Sequence, residues 1–231
     1  MKPGAKILWL LLPMLLLMGV FIAGLAYLSF QSFLTDSGIG IGNYVAFFQR
    51  PDYVRVLLRT LEIAFLTTVV TLIIGYPTAY VIARAQKHRD LLLLLVILPW
   101  LVSIVVRTYG WIVLLGTRGA MNSFLSQLGL IDTPLRVLFT QAGVVVGLVH
   151  VFLPFMVIAI LTVMMHIDKS MEEASKMLGA GSLQTLLRVT GPLSLPGVIS
   201  GCTIVFLLSS GAIITPLLLG GPRNSMLATQ I

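Results

Sequence analysis

Long apolar runs separated by short polar turns dominate this chain, and run length sets the first reading. A helix needs about 20 apolar residues to cross the hydrocarbon of a bilayer. Five segments meet that length: 7–30, 60–83, 91–115, 142–165 and 198–219. The short alternating segments of a membrane barrel do not occur, so the predicted fold class is all-α, a polytopic transmembrane helical bundle. Two stretches between spans carry helical patterns of their own. In "GAMNSFLSQLG", Met121, Phe124, Leu125 and Leu128 recur at helical spacing and Gly129 marks a stop, which predicts a short helix on the outer face. In "IGNYVAFFQRPDY", Tyr44, Phe47 and Phe48 predict a second interfacial piece. No internal repeat or linker interrupts the pattern, so residues 1–231 are expected to form one membrane domain.

Composition agrees. The chain is 58% hydrophobic and 10% charged, where a soluble domain carries about a quarter charged residues. The net charge of +7 is spread in small groups beside the apolar runs rather than gathered in one patch, which argues against nucleic acid. The run at 7–30 is too long for a signal-peptide core and has no small-residue cleavage site, so it reads as an uncleaved span. Cys202, the single cysteine, lies in an apolar run and reads as a buried structural thiol.

Orientation follows from the basic residues. Arg84, Lys87 and Arg89 crowd the turn between spans two and three and mark it as cytoplasmic. Lys2, Lys6, Lys169, Lys176 and Arg188 then fall on the same side. Arg50, Arg55, Arg59, Arg118, Arg136 and Arg223 fall on the other, a balance of eight to six. The amino terminus is expected inside.

The segment "KSMEEASKMLGAGSLQTLLRVTGPLSLPG" breaks the apolar pattern. Ser170 with Glu173 three residues on forms a capping box, Glu172 and Glu173 favour the positive end of a helix, and Lys176 favours the negative end. Met171, Ala174 and Leu178 share one face. Gly179 or Gly181 supplies a left-handed turn. A second short helix fits 183–190, and Gly191-Pro192 is expected to stop it. The residues alone leave two readings open. The pair rests on lipid, or it fits a partner's groove, where Ala174 and Gly179 permit close backbone approach.

This segment resembles the cytoplasmic "EAA" loop of binding-protein-dependent ABC importer permeases of the type I fold. Glu173, Ala174, Ser175, Gly179, Val189 and Pro192 fall at the family's spacing, with Ser175 in place of the second alanine and Gly191 in place of a leucine. "LPWLVSIVVRTYGWIVLLG", "GAMNSFLSQLGLIDTPLRVLF" and "ITPLLLGGPRNSM" are similar, in order, to segments of the spermidine/putrescine group, so the likeness covers nearly the whole chain. The resemblance implies a coupling loop over 166–196, including Glu172, seated in a separate ATPase subunit that uses ATP and magnesium. It also implies a second, homologous permease, an external solute-binding protein, and a location in the bacterial inner membrane. Permeases of this group carry a sixth span, which these residues do not contain, so a truncated or partly resolved chain is expected.

Four residues are candidates for the translocation pathway: Ser103, Arg107, Tyr109 and Thr215. Arg107 is the only basic residue within a predicted span, and its charge demands protein, water or an interface. It would repel a polyamine, so it reads either as structural or as a contact for an amino-acid-like, opine or phosphonate solute. Glu62 is the only acid within a span, near its outer end, and His150 reads as a hydrogen-bonded packing residue. Pro99, Pro154 and Pro216 are expected to bend or interrupt helices.

The chain has no P-loop, and His88, His150 and His166 lack metal spacing. No nucleophile and base are patterned for hydrolysis. The chain is therefore expected to bind no cofactor or metal and to be no enzyme. A secondary transporter would place ionisable residues at mid-span, and the spans here are nearly uncharged.

Overall fold

A computed structural model describes residues 3–35, 38–85, 87–221 and 224–230, with backbone alone at 3–10 and 169. Lys2 and Arg223 and the side chains of Lys6 and Lys169, which entered the charge balance, lie outside what is described. The chain divides into two compact units, Met1–Arg55 and Val56–Ile231.

The first unit holds α1 (Pro3–Ser32), a two-residue antiparallel ladder of β1 (Leu34–Thr35) and β2 (Gly38–Ile39), and α2 (Gly42–Gln49). α2 is the helix expected from Tyr44, Phe47 and Phe48. Asn43 fixes its start by donating to the carbonyls of Ser32 and Leu34 at 3.1 and 2.7 Å. Phe47 stacks on Tyr53, with ring centroids 5.5 Å apart.

α3 (Pro51–Arg84) begins in the first unit and runs on through the second. After it come α4 (Arg89–Leu101), α5 (Ile104–Leu115), α6 (Ala120–Gln127) and α7 (Gln141–Met164). α8 (Lys169–Met177) and α9 (Ser182–Thr185) lead through a π-helical turn at Leu186–Thr190 into α10 (Gly191–Ser210) and α11 (Ile214–Leu219). Among the described residues, Leu11–Ser32, Pro51–Arg84, Gln141–Met164 and Ser182–Ser210 are each long and apolar enough to cross a membrane. A fifth crossing exists if Arg89–Leu101 and Ile104–Gln127, bent by 92°, count as one span.

α7 is apolar on every side and forms the centre, as a helix with no polar face must. Val144, Leu148, Met156, Val157 and Ile160 are buried there, against Ile63 and Ala79 of α3, Val205 of α10 and Leu219 of α11. Small residues bring the backbones close. A methyl added at Gly201 would lie 2.7 Å from Met156 Sδ, and one added at Gly75 would lie 2.9 Å from Met156 Cγ. At Gly197, one turn before Gly201, the added carbon would meet backbone: the Ala159 carbonyl at 3.0 Å and Ile160 Cα at 3.1 Å. This small-xxx-small stripe is how apolar helices associate where lipid removes the hydrophobic driving force. Three of the buried hydroxyls on α3 are spent locally, as Thr60, Thr68 and Thr71 each donate to the carbonyl four residues earlier.

Four sequence expectations need correction. The run at 91–115 is broken, because Val102 and Ser103 are extended between α4 and α5. The run at 198–219 is also broken, since α10 ends at Ser210 and α11 is a separate short helix packed against α5 and α7. Gly191-Pro192 stops nothing. Pro192 offers no N–H and would crowd the carbonyl four residues back, and the π turn just before it absorbs both defects. Cys202 is half-buried beside the core rather than fully enclosed.

Candidate functional site

Residues 166–191 form a knob at the end of the second unit that also carries Arg84 and Arg89. Asp168 caps α8, its carboxylate accepting from the Ser170 N–H at 2.9 Å. That bond, with one from the Ser170 hydroxyl, holds the Asp168 carboxyl below the usual carboxylate range. The expected cap at Ser170 is thus displaced by two residues. Both residue types cap helices well, and only one can occupy the position. Gly179, at φ +86°, makes the left-handed turn after α8, and Gly181 is ordinary extended backbone before α9.

The adjacent acids part company. Glu173 is exposed. The Glu172 side chain is only 13% exposed and forms an ion pair with Arg84 of α3. Its Oε2 accepts from Arg84 Nε at 3.2 Å, and its Oε1 accepts from the Thr190 hydroxyl at 2.8 Å. Arg84 also lies over the Tyr80 ring, 4.0 Å from its centroid. Ser175, half-buried, bonds hydroxyl to hydroxyl with Thr185 at 3.1 Å, which ties α8 to α9. Ser175 thus uses a group that an alanine in its place would lack.

On the other side of the knob the apolar residues face outward. Met177 and Leu178 are 88% and 89% exposed, and Leu183 and Leu187 are exposed as well. Beside them Met171, Ala174, Gly179, Arg188 and Val189 line a shallow cleft of about 400 Å³. Nothing within 4 Å would meet a side chain added at Gly179. Pro192 is exposed at the start of α10. A rigid stalk therefore presents an apolar tip with open space around it.

The four pathway candidates do not converge. Arg107 is buried, and its Nη2 donates to the carbonyls of Trp100 and Val102 at 3.0 and 2.6 Å. These are carbonyls left orphaned where α4 ends, and a cation at a helix C-terminus also meets the negative end of the dipole. The guanidinium thus caps the break in span three. Its Nε and Nη1 have no partner among the described residues. Ser103 leads into α5 one turn before Arg107, its carbonyl accepting from the Arg107 backbone N–H at 3.0 Å, but Ser103 and Tyr109 are exposed where Arg107 is buried. Thr215 is buried in α11. Glu62 is exposed. His150 accepts at Nδ1 from the Trp111 indole N–H at 3.2 Å, which assigns the neutral ring its proton on Nε2.

Arg107→Met is expected to lower the melting temperature of the detergent-purified chain, because two carbonyls lose their donor at about 1–3 kcal/mol. Arg107→Lys should recover part of the loss, as a single ammonium cannot reproduce the planar fork. Equal melting of all three proteins would refute the capping role.

Sequence reasoning missed Arg84, Thr190 and Asn122. The Asn122 amide donates to Leu135 O at 2.9 Å and accepts from Leu135 N at 2.8 Å, which braces the loop between α6 and α7. An asparagine within the apolar pattern of α6 was its one visible signal.

Residues 38–231 match the family described as "binding-protein-dependent transport system inner membrane component". The chain is 41% identical over 182 residues to the spermidine/putrescine transport system permease protein PotB of Escherichia coli (strain K12), covering 78% of this chain and 66% of that protein. It is 36% identical over 208 residues to PotB of Haemophilus influenzae, covering 87% of this chain and 72% of that protein. The chain thus spans about two thirds of the length of the curated relatives it matches. Its fold is similar to a chain of a bacterial alginate ABC transporter solved with an alginate pentasaccharide-bound periplasmic protein. The TM-score is 0.69 at 22% identity, over 96% of this chain and 80% of that one. An apolar helical bundle with a capped, outward-facing knob between α7 and α10, matched by the family over most of its length, belongs to the inner-membrane components of binding-protein-dependent transport systems.

Proposed function

We propose that this chain is the permease subunit of an ATP-driven importer of a small solute, with a polyamine such as spermidine or putrescine as the leading candidate. Its knob docks in a separate ATPase, a second homologous permease completes the passage, and an external binding protein delivers the solute. The amino terminus and the knob face the cytoplasm, and ATP and magnesium act in the partner. The observation that carries this reading is the exposed apolar tip at Met177 and Leu178 on a stalk tied to two spans. Apolar side chains this bare, at the basic end of the bundle, suit burial against a partner. The polyamine assignment rests on likeness to the two PotB proteins.

A second solute class has one observation in its favour. The unpartnered Nε and Nη1 of Arg107 suit a carboxylate or phosphonate better than a polyamine. The test for both is to express the chain with its genomic neighbours, purify it by a tag in mild detergent, and identify what co-elutes. An ATPase in the eluate supports the permease reading, and a chain that purifies alone overturns it. Stimulation of that ATPase by spermidine with binding protein, but not by 2-aminoethylphosphonate, supports the polyamine. The reverse selects the anionic class.

A further inference from the structure

We infer that Glu172 is a positioning residue for energy coupling: it does not contact the ATPase but joins α8 to two spans, so that movement of the knob is shared between α3 and α10. This rests on the permease reading above. The spacing of Glu173, Ala174 and Gly179 that gives the knob its family likeness does not require an acid at 172. The geometry gives this second acid a different task.

Both Glu172 oxygens are engaged from within the chain. Oε2 takes the Arg84 Nε–H, and Oε1 takes the Thr190 hydroxyl while pairing with Arg84 Nη2. A two-point grip between carboxylate and guanidinium fixes orientation as well as distance. The guanidinium is itself held over Tyr80 on the same helix. On the other arm, Thr190 is fully buried. Thr60, Thr68, Thr71, Thr78, Thr108, Thr162 and Thr203 all turn their hydroxyls back to the carbonyl four residues earlier. Thr190 does not. It closes the π turn, where one inserted residue shifts helical phase by about 100°, and its hydroxyl reaches Glu172 instead. Below this point Tyr76 of α3 and Ser194 of α10 bond hydroxyl to hydroxyl at 3.0 Å, so both spans are joined again one turn further in. A push on the apolar tip thus reaches α3 through the Glu172 carboxylate, and the same carboxylate holds the π turn by which α9 continues into α10.

Cys202, the single cysteine of the chain, sits on α10 beyond this node and offers a reporter site. The experiment places a spin label on Cys202 in the purified complex, with the other subunits cysteine-free. It compares spectra before and after ATP for the unsubstituted chain, Glu172→Gln, Thr190→Val and Glu173→Gln. Glu172→Gln is expected to keep the ATPase bound and the resting spectrum unchanged, while the ATP-induced change falls roughly tenfold. That is the size of shift expected in a two-state equilibrium on losing a hydrogen bond to a charged group. Thr190→Val, nearly isosteric, is expected to show a smaller fall in the same direction. Glu173→Gln should instead weaken ATPase retention.

Loss of the ATPase with Glu172→Gln would make Glu172 a docking contact and overturn the inference. An altered resting spectrum would make it a structural brace, and an unchanged ATP response would make it idle; either overturns it too. If the unsubstituted chain brings down no ATPase, the permease reading fails and the inference falls with it.

Discussion

Gly179→Asp is expected to leave the chain folded and to abolish co-purification of the ATPase. The position separates the two effects well. Its φ of +86° disfavours most side chains, but aspartate tolerates the left-handed region, and the open space around it removes any clash. The cost to the fold is therefore about 1 kcal/mol, too little to unfold a bundle of this size. Docking suffers far more. The new carboxylate stands beside Leu178 and would have to be buried, unpaired, against the partner, a penalty of several kcal/mol that exceeds a hundredfold in affinity. Gly179→Asn keeps the turn without the charge and should retain much of the binding. The check is co-elution by gel filtration against the yield of monodisperse permease. An aspartate variant that still carries its ATPase would show that the partner does not seat on this turn.

Gly197→Leu is expected to prevent folding outright. The carbon added there meets the Ala159 carbonyl and Ile160 Cα, backbone atoms of the central helix that cannot swing aside. The rest of a leucine side chain then has nowhere to go, and α10 must separate from α7. Overpacking of a core costs about 1–3 kcal/mol when side chains can adjust, and more is expected where backbone is struck. Gly201→Ala gives the contrast. Its methyl would strike Met156 Sδ, the flexible end of an adaptable side chain, so a modest drop in melting temperature is the expected result. Monodisperse yield in detergent decides both cases. A leucine variant recovered at full yield would mean that α7 and α10 do not depend on this close approach.

What could be read from the chain and what could not divide along physical lines. Run length located the spans, because the requirement for about 20 apolar residues is nearly independent of fold. Local chemistry located α2 and α6 and narrowed the left-handed turn to Gly179 or Gly181, since each depends on residues within a few positions. The place of the break in span three escaped because the two helix breakers in residues 91–115, Pro99 and Gly110, lie inside α4 and α5 rather than at Val102 and Ser103. It depends on Arg107 reaching back to Trp100 and Val102, and only the folded backbone brings that about. Gly191-Pro192 misled because the rule that proline ends a helix assumes an α-helical turn before it, whereas here the turn is π. The tie from Glu172 to Arg84 joins residues 88 positions apart, and no spacing announces it.

The π turn at Leu186–Thr190 also bears on how lengths can drift in this chain. A π turn is an α-helix holding one residue more than its flanks require. A single deletion within that turn would leave α9 and α10 close to where they are. The same deletion a few positions later would rotate Gly197 and Gly201 by about 100° away from α7. The spine of the fifth span therefore has a place where it can lose a residue, and it lies just before the glycine stripe that can lose none.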